Sequence, residues 1–517
     1  MREGLGEKMS EVSHALQKIA RGTGIVFVGT IISMLLGFLS KAIIARYFST
    51  GEYGVFNLTL TVLSISVVIA TLGFGNSLPR QIAVYKEEKP HLVKGLISTA
   101  VFIVLSTSLL LLVLVFSGAD KIAQILHDER LEYSVRIIGM ALPFSALISV
   151  LVAISRGFGR VRERVYFQSI VYPSLFLILL LIGGILKVSF SYVFFAYLGA
   201  HIITFFLLGF DITRTRLVKF SFVFIPSLGK GLLLFSLPLM FNGILGFIMN
   251  WTDTLMLGYY LTSEVVGVYN AAAPLARILQ IFLTSLGFLY VPIASQLYVQ
   301  GKIHEIDRVY KILTKWMFLL TFPMFSAMFL FPQAAISFFF GSRYIGASVA
   351  LQILTLSFLS RVLLGLNGVT LTVVGKPTIN LIGNSFAAIL NISLNAVLIP
   401  YYGLNGAAFA TFVSYFFANV FRSVWLYKKS RIHPFGWSYI KLLIISFVSL
   451  GLIRMFSVRF QNMWYVILGL AMFLGVYGVL ILLTRIIEKE DVEVLLAIEK
   501  KLGIDAKILK KFLSKFV

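Results

Sequence analysis

The sequence contains no cysteine, which excludes structural disulfides and thiol chemistry. Charge is also scarce, because 13% of the residues are charged whereas 58% are hydrophobic, and the mean hydropathy is +0.92. The first 21 residues are polar and show no signal-peptide pattern, so we expect the first apolar segment to be retained. This composition excludes an ordinary soluble domain and is typical of a membrane protein.

Signals for catalysis are lacking as well. The six histidines are scattered without metal-ligand spacing, and no Walker-type phosphate loop is present. Gly157-Phe158-Gly159 is only part of a glycine motif. We therefore expect no enzyme activity, no metal, no cofactor and no ATP hydrolysis.

Long uncharged runs are what the sequence has in abundance. Each approaches the roughly 20 residues that a helix needs to cross a bilayer. Nine such runs lie at 53–79, 95–119, 137–155, 165–186, 188–210, 231–252, 278–301, 316–342 and 460–484. Residues 377–421 suffice for two crossings with a turn at 400–406, and segments at 22–40, around Arg361 and at 438–457 complete the set. We predict an all-α polytopic membrane protein with about 14 transmembrane helices.

The positive charges are distributed unevenly along this topology. If the N-terminus is cytoplasmic, the predicted inner connections hold most of the 45 lysines and arginines. The pattern predicts a cell-membrane protein with both termini cytoplasmic. The net charge of +23 then reflects a basic membrane face, and we expect no nucleic-acid partner.

One stretch of the chain occurs twice. Tyr47, Gly54 and Asn57 recur 213 positions later as Tyr260, Gly267 and Asn270. Because six spans precede the second copy, both copies enter the membrane from the same side, as in transporters with parallel repeats. The sequence therefore predicts two homologous six-helix halves.

The predicted organisation follows from this repeat. It comprises a cytoplasmic N-terminal segment (1–21), an N-terminal six-helix bundle (22–215), a C-terminal six-helix bundle (216–430), two additional transmembrane helices (431–487) and a basic amphipathic tail (488–517). The tail fits two alternatives, a helix on the anionic inner leaflet or a small cytoplasmic helix pair.

Charged side chains inside the spans are the candidate functional residues, because each costs about 2.5–3.5 kcal/mol to insert. Arg277 and Arg361 lie deep in their spans, whereas Lys41, Arg46 and Asp253 lie in outer thirds. Four cations and one anion predict an anion site. The alternatives for the arginines are a structural ion pair or capping of backbone carbonyls.

The repeat suggests a second role for two of these residues. At the 213-residue offset Asp253 corresponds to Ser40, and Lys41 corresponds to Thr254. Lys41 and Asp253 would then lie at similar depth and form a gate pair, or each would be satisfied within its own half. Intramembrane asparagines fit either a sugar-binding cavity or contacts between helices; they are Asn57, Asn242, Asn250, Asn270, Asn367, Asn384, Asn391 and Asn395.

Three segments carry a family resemblance that covers roughly residues 15–485. They are 45–56, Arg156-Gly157-Phe158-Gly159-Arg160 and Gly375-Lys376-Pro377. These resemble the polysaccharide or O-antigen flippases of the multidrug/oligosaccharidyl-lipid/polysaccharide exporter superfamily. The resemblance implies two pseudo-symmetric six-helix bundles in a V, two extra helices and alternating access.

It also implies the cargo, a lipid-linked oligosaccharide on a polyprenyl phosphate or diphosphate. Arg277, Arg361, Arg46 and Lys41 are the residues expected to bind its anionic headgroup, with Asp253 as a gate or ion-coupling residue. Expected partners are membrane lipids and a glycosyltransferase or polymerase. The alternatives are a cation-coupled multidrug exporter of the same superfamily, a lipid scramblase, and a non-transporting subunit of a polymer-assembly complex.

Overall fold

The structure is a computed structural model that describes residues 26–215, 223–457, 463–484 and 486. The predicted N-terminal segment and the predicted basic tail lie outside these residues. Within the described ranges the regular structure is entirely helical, with no strand. The predicted all-α class is therefore confirmed.

The first part of the chain forms nine α-helices. They are α1 (Val26–Tyr47), α2 (Thr50–Ala70), α3 (Phe74–Glu88), α4 (Val93–Ser117), α5 (Ala119–Ile125), α6 (Arg130–Gly139), α7 (Leu142–Gly157), α8 (Tyr172–Ile185) and α9 (Ser191–Arg214). A π-helical segment, Arg164–Val171, leads into α8.

Ten further helices follow. They are α10 (Pro226–Tyr260), α11 (Ser263–Ile278), α12 (Ile281–Val299), α13 (Ile303–Leu330), α14 (Pro332–Phe339), α15 (Ser348–Leu363), α16 (Asn367–Val373), α17 (Pro377–Ser430), α18 (Trp437–Ser457) and α19 (Met463–Leu483).

Thirteen helical segments in the described residues are long and apolar enough to cross a membrane. One of them, α17, has 54 residues and is interrupted at Gly403, where φ is 56° and ψ is −134°. The two parts of α17 are each longer than the roughly 20 residues that a crossing requires. The interruption falls at the turn that the sequence predicts, and counting both parts gives the predicted number of about 14 spans.

Many serines and threonines in these spans form a hydrogen bond within their own helix. Thr59, Thr61 and Ser66 each donate to the backbone carbonyl four residues earlier, at 2.7–2.8 Å. No water is available inside a bilayer, so every polar group there needs a partner within the protein. Apolar spans can therefore carry many hydroxyls without breaking.

The chain divides into two compact units. One contains 28–271 and 391–407, and the other contains 272–390 together with the described residues from 408 onward and 26–27. The boundary at residue 271 reflects which helices touch, whereas the predicted boundary at residue 215 reflects the repeat. The two homologous halves stay a prediction.

In the first of these units the two copies of the repeated motif pack against each other. α2 begins at Thr50 and α11 begins at Ser263, which is the equivalent position 213 residues later. The backbones of Gly54 and Gly267 touch, because a Cβ on Gly54 would lie 1.6 Å from the Ser263 carbonyl oxygen and one on Gly267 would lie 2.0 Å from that of Thr50. We call this contact the glycine seam.

Alanine at the seam should destabilise the protein. Gly54→Ala places a methyl group inside the α11 backbone, and overpacking of this kind costs about 1–3 kcal/mol or more. We expect a lower unfolding temperature in detergent, measured by the loss of monodisperse protein on heating. Gly246→Ala is the matched control, since a Cβ there meets no atom within 4 Å. An unchanged unfolding temperature in Gly54→Ala would contradict the packing described.

Candidate functional site

A cavity of about 680 Å³ lies in the unit formed by 272–390 and the residues from 408 onward. Its walls come from α12, α15, α16 and both parts of α17. Apolar side chains such as Leu283, Phe288 and Val291 line one part, and Arg361, Arg422 and Asn380 line another. A largely apolar cavity with a few convergent polar groups is typical of a ligand site.

Arg361 lies in the last turn of α15 and is half-buried. Its guanidinium group stacks over the Tyr415 ring, with 4.6 Å from Cζ to the ring centroid. Its Nη1 donates a hydrogen bond to Gln280 Oε1 at 2.7 Å. Stacking and a neutral acceptor hold the group in place without cancelling its charge.

Arg422 is almost fully buried, with 9% of its surface exposed. Its Nη1 donates to Asn384 Oδ1 at 3.1 Å and to Asn380 Oδ1 at 3.3 Å, while Nη2 donates to Asn419 Oδ1 at 3.2 Å. Its Nε donates to the Ala418 carbonyl oxygen at 3.1 Å. Arginine has only donors, so the asparagine oxygens must face it.

Neither arginine forms an ion pair in the described part of the chain, where every ion pair involves other residues. All of their hydrogen-bond acceptors are amide or carbonyl oxygens. A buried charge is normally paired, because removing it from water is costly. Two guanidinium groups without an ion-pair partner among the described residues therefore line one cavity, and the planar fork of arginine suits phosphate or carboxylate oxygens.

Small residues and amides shape the wall beside Arg422. A Cβ on Gly368 would lie 2.8 Å from Asn380 Oδ1 and 3.2 Å from Arg422 Nη1, so a larger residue there would displace these side chains. Asn367 Nδ2 donates to the Asn419 carbonyl oxygen at 3.1 Å. The guanidinium group is therefore fixed both by its own bonds and by its neighbours.

The other predicted headgroup residues lie elsewhere. Arg277 is half-buried in the last turn of α11 and does not line this cavity. Arg46 is exposed near the end of α1. Lys41 is half-buried, and its Nζ lies 5.6 Å from the centroid of the Trp251 ring. Among the four predicted cations, Arg361 is the one that lines the cavity.

Asp253 belongs to the other unit, where three neutral side chains hold its carboxylate. Asn395 Nδ2 and Asn391 Nδ2 donate to Oδ1 at 2.8 and 3.3 Å. The Tyr269 hydroxyl donates to Oδ2 at 2.5 Å. Asn391, Asn395 and Tyr269 are buried and Asp253 itself is half-buried, so this carboxylate is rich in hydrogen bonds.

Arg422 is not among the site residues predicted from the sequence. The available signal was its position directly after an uncharged run of 45 residues, three residues beyond Asn419 on the same helical face. Asn380 and Asn384 are likewise four residues apart on one face. Amides at matching positions on two neighbouring spans next to an arginine would have indicated that these amides accept hydrogen bonds from the arginine.

Comparison with known proteins identifies the chain. The family model described as polysaccharide biosynthesis protein matches residues 19–298, and a second model, MatE, matches residues 238–397. A probable low-salt glycan biosynthesis flippase, Agl15, of Haloferax volcanii is 24% identical, covering 84% of this chain and 89% of the relative. An uncharacterized membrane protein of Methanocaldococcus jannaschii is 25% identical over 81% of this chain and 86% of its own.

Solved structures share the fold. The lipid II flippase MurJ in an inward closed conformation has a TM-score of 0.74 at 14% identity and covers 88% of this chain and 98% of its own. An inward-facing multidrug resistance transporter of the MATE family has a TM-score of 0.64 at 14% identity, covering 77% and 94%. Because the first family model covers more than half of the sequence, this multi-pass membrane protein belongs to the polysaccharide biosynthesis protein family.

Proposed function

We propose that the protein is a flippase that moves a lipid-linked oligosaccharide across the cell membrane by alternating access. The observation that carries this proposal is the pair Arg361 and Arg422, which line one cavity without a carboxylate to neutralise them. A phosphate or diphosphate that links a polyprenyl chain to a glycan is the anion that such a site would bind. The family match and the similarity to a probable glycan flippase support this cargo.

The remaining groups of the cavity suit the rest of such a ligand. The amides of Asn380 and Asn419 can bond sugar hydroxyls, while Leu283, Phe288 and Val291 offer apolar contact. Arg277, Arg46 and Lys41 are proposed as further headgroup contacts along the path. No step of this mechanism breaks a covalent bond, which is why we propose a transporter and not an enzyme.

The driving force follows from the charge of the cargo. An inside-negative potential favours outward movement of an anion by about 2.3 kcal/mol per charge per 100 mV. The lysine and arginine distribution predicts that both termini are cytoplasmic. A cytoplasmic glycosyltransferase or polymerase would then supply or use the cargo.

The direct test uses liposomes that contain the protein and a fluorescent polyprenyl-diphosphate sugar. The leaflet position of the dye is followed by quenching, with and without an imposed potential. Translocation that speeds up with an inside-negative potential supports the proposal. No translocation in either condition would overturn it.

Removing the arginine charges should remove transport. Arg361→Gln and Arg422→Gln each delete hydrogen bonds to a charged ligand, which contribute about 1.5–3 kcal/mol each. We expect flipping to slow about 10- to 100-fold, and binding of pyrophosphate, followed by a thermal shift, to weaken similarly. Arg422→Lys keeps the charge without the planar fork and should retain part of the activity.

The matched control for these variants is Arg431→Gln. Arg431 caps the same helix as Arg422, but its guanidinium group lies 5.3 Å from the Tyr427 ring centroid and does not line the cavity. This variant should flip at the wild-type rate. Equal transport by Arg361→Gln, Arg422→Gln and Arg431→Gln would contradict the headgroup site.

A cation-coupled multidrug exporter is the second candidate function, and Asp253 favours it. The MatE model matches the region around this residue, whose half-buried intramembrane carboxylate resembles an ion-coupling group. In the flippase Asp253 acts as a gate residue instead. Its three neutral donors hold it in place during the closed part of the cycle.

Asp253→Asn separates the two functions. It removes the charge at nearly constant volume, so in a flippase we expect slower translocation that still responds to membrane potential. Uptake of cationic dyes under sodium or proton gradients is measured in parallel, with Asn250→Asp on the same helix as a control for the position of the charge. Dye uptake that requires a cation gradient and disappears in Asp253→Asn would favour the exporter.

A further inference from the structure

A second cavity, of about 400 Å³, lies in the unit formed by 28–271 and 391–407. We call it the α9 cavity, because α9 supplies most of its lining; α4 and α7 supply the rest, and α7 packs against both of the others. The lining includes Val101 of α4, Leu147 and Leu151 of α7, and Phe206 and Phe210 of α9. Ligand pockets have volumes of about 300–1,000 Å³, so this cavity is large enough to hold a ligand.

The sequence of α9 leaves this space open. Phe205, Phe206, Gly209, Phe210 and Thr213 recur every three or four residues, which places them on one face of the helix. Phe206 and Phe210 are each 63% exposed, whereas Gly209 between them has no side chain. A Cβ on Gly209 would meet no atom within 4 Å. Packing between the helices therefore does not demand this glycine, and the space beside it is open to an occupant.

A hydrocarbon chain is the occupant that suits this position. The three helices belong to segments that are long and apolar enough to cross a membrane. A peptide inserted at that depth would need partners for its backbone, and Thr213 is the one lining residue with a polar side chain. Its hydroxyl already donates to the Phe210 carbonyl oxygen at 2.9 Å. A hydrocarbon chain needs no hydrogen bond, and it provides the van der Waals contacts that an unfilled space lacks.

Two cations mark one end of the α9 cavity. Lys94 lies in the first turn of α4, seven residues before Val101 and on the same helical face. Arg214 is the last residue of α9 and follows Phe210 by four residues. Four candidate spans separate the start of α4 from the end of α9, so both cations lie on the same side of the membrane. Both are exposed, and neither forms an ion pair in the part of the chain that the structure describes.

We propose that the α9 cavity binds one hydrocarbon chain of an anionic phospholipid from the surrounding bilayer, with the headgroup at Lys94 and Arg214. Charge complementarity selects the lipid, because cations near a membrane surface attract anionic headgroups. Asp211, the one carboxylate of α9, is paired with Arg162 at 3.2 Å. The phospholipid is a resident ligand and not the cargo, so this inference does not depend on the proposed function.

Quenching by brominated lipids tests the site. Phe206→Trp places an indole in the cavity wall, and the protein is reconstituted into phosphatidylcholine vesicles. The vesicles contain the same small fraction of either brominated-chain phosphatidylglycerol or brominated-chain phosphatidylcholine. The emission of the five native tryptophans, measured in the unsubstituted protein, is subtracted. We expect stronger quenching by the phosphatidylglycerol, and equal quenching by both lipids would overturn the proposal.

Phe195→Trp is the matched control. Phe195 lies near the other end of α9, is 53% exposed and does not line the cavity. The two brominated lipids should therefore quench this tryptophan equally. A preference for phosphatidylglycerol as strong as that of Phe206→Trp would mean that anionic lipids surround the whole protein, which would overturn a specific site. Phe206→Trp that is quenched far less than Phe195→Trp by both lipids would mean that another occupant fills the cavity, with the same consequence.

Filling the cavity from within should remove the preference. Gly209→Leu, added to Phe206→Trp, places a side chain in the space where a Cβ meets no atom, so we expect monodisperse protein without the excess quenching by phosphatidylglycerol. Gly231→Leu is its control, because Gly231 is exposed on α10 and a Cβ there also meets no atom within 4 Å. This control should keep the excess. An excess that persists in Gly209→Leu would overturn binding in the cavity.

The headgroup position is tested separately. Lys94→Gln and Arg214→Gln, each combined with Phe206→Trp, should reduce the preference for phosphatidylglycerol about fivefold, since each removes one cation near the membrane surface. Arg214→Lys keeps the charge and should keep the preference. A preference that neither glutamine variant reduces would overturn the placement of the headgroup at these two residues.

Discussion

A buried guanidinium group requires an acceptor for each donor, and in this protein the acceptors of Arg422 are neutral. Three asparagine oxygens and a backbone carbonyl satisfy its hydrogen bonds but leave its charge uncancelled. The fold supplies that arrangement through one turn. Because α17 reverses at Gly403, Asn380 and Asn384 from its first part meet Asn419 and Arg422 from its second. The anion cavity thus depends on a single break in a long helix.

The sequence was sufficient to predict the structural features that a lipid bilayer requires. Lipid leaves no partner for an open backbone, so uncharged runs of about 20 residues must be helices, and the spans and the turn near Gly403 followed from that requirement alone. Arg361 could also be predicted as a candidate site residue, because a charge deep in a span is costly to insert. Arg422 could not be predicted, because the sequence does not distinguish an arginine at the end of a span that points to water from one whose side chain is buried in the protein.

The hydrogen-bond partners of Asp253 could not be predicted from the sequence either. A repeat relates equivalent positions, and it suggested that Lys41 and Asp253 lie at similar depth, but it does not say which side chains touch. The carboxylate takes hydrogen bonds from Tyr269, Asn391 and Asn395, and the ammonium group of Lys41 lies over the Trp251 ring. The gate pair stays a prediction. Neutral donors give no signal in a search for charge pairs. Such a site becomes visible only when helices distant in sequence are brought together.

The glycine seam and the cavity that contains Arg361 and Arg422 place opposite requirements on the two copies of the predicted repeat. The glycine seam needs the copies to stay alike, because Gly54 and Gly267 fit only as a pair of bare backbones. The cavity needs them to differ, since Arg422 corresponds to Phe206 at the 216-residue offset that relates Gly159 to Gly375. A ligand with one anionic end and a long apolar chain is itself asymmetric. Cations that lie in one copy of the predicted repeat and not in the other suit a ligand that binds in a single orientation.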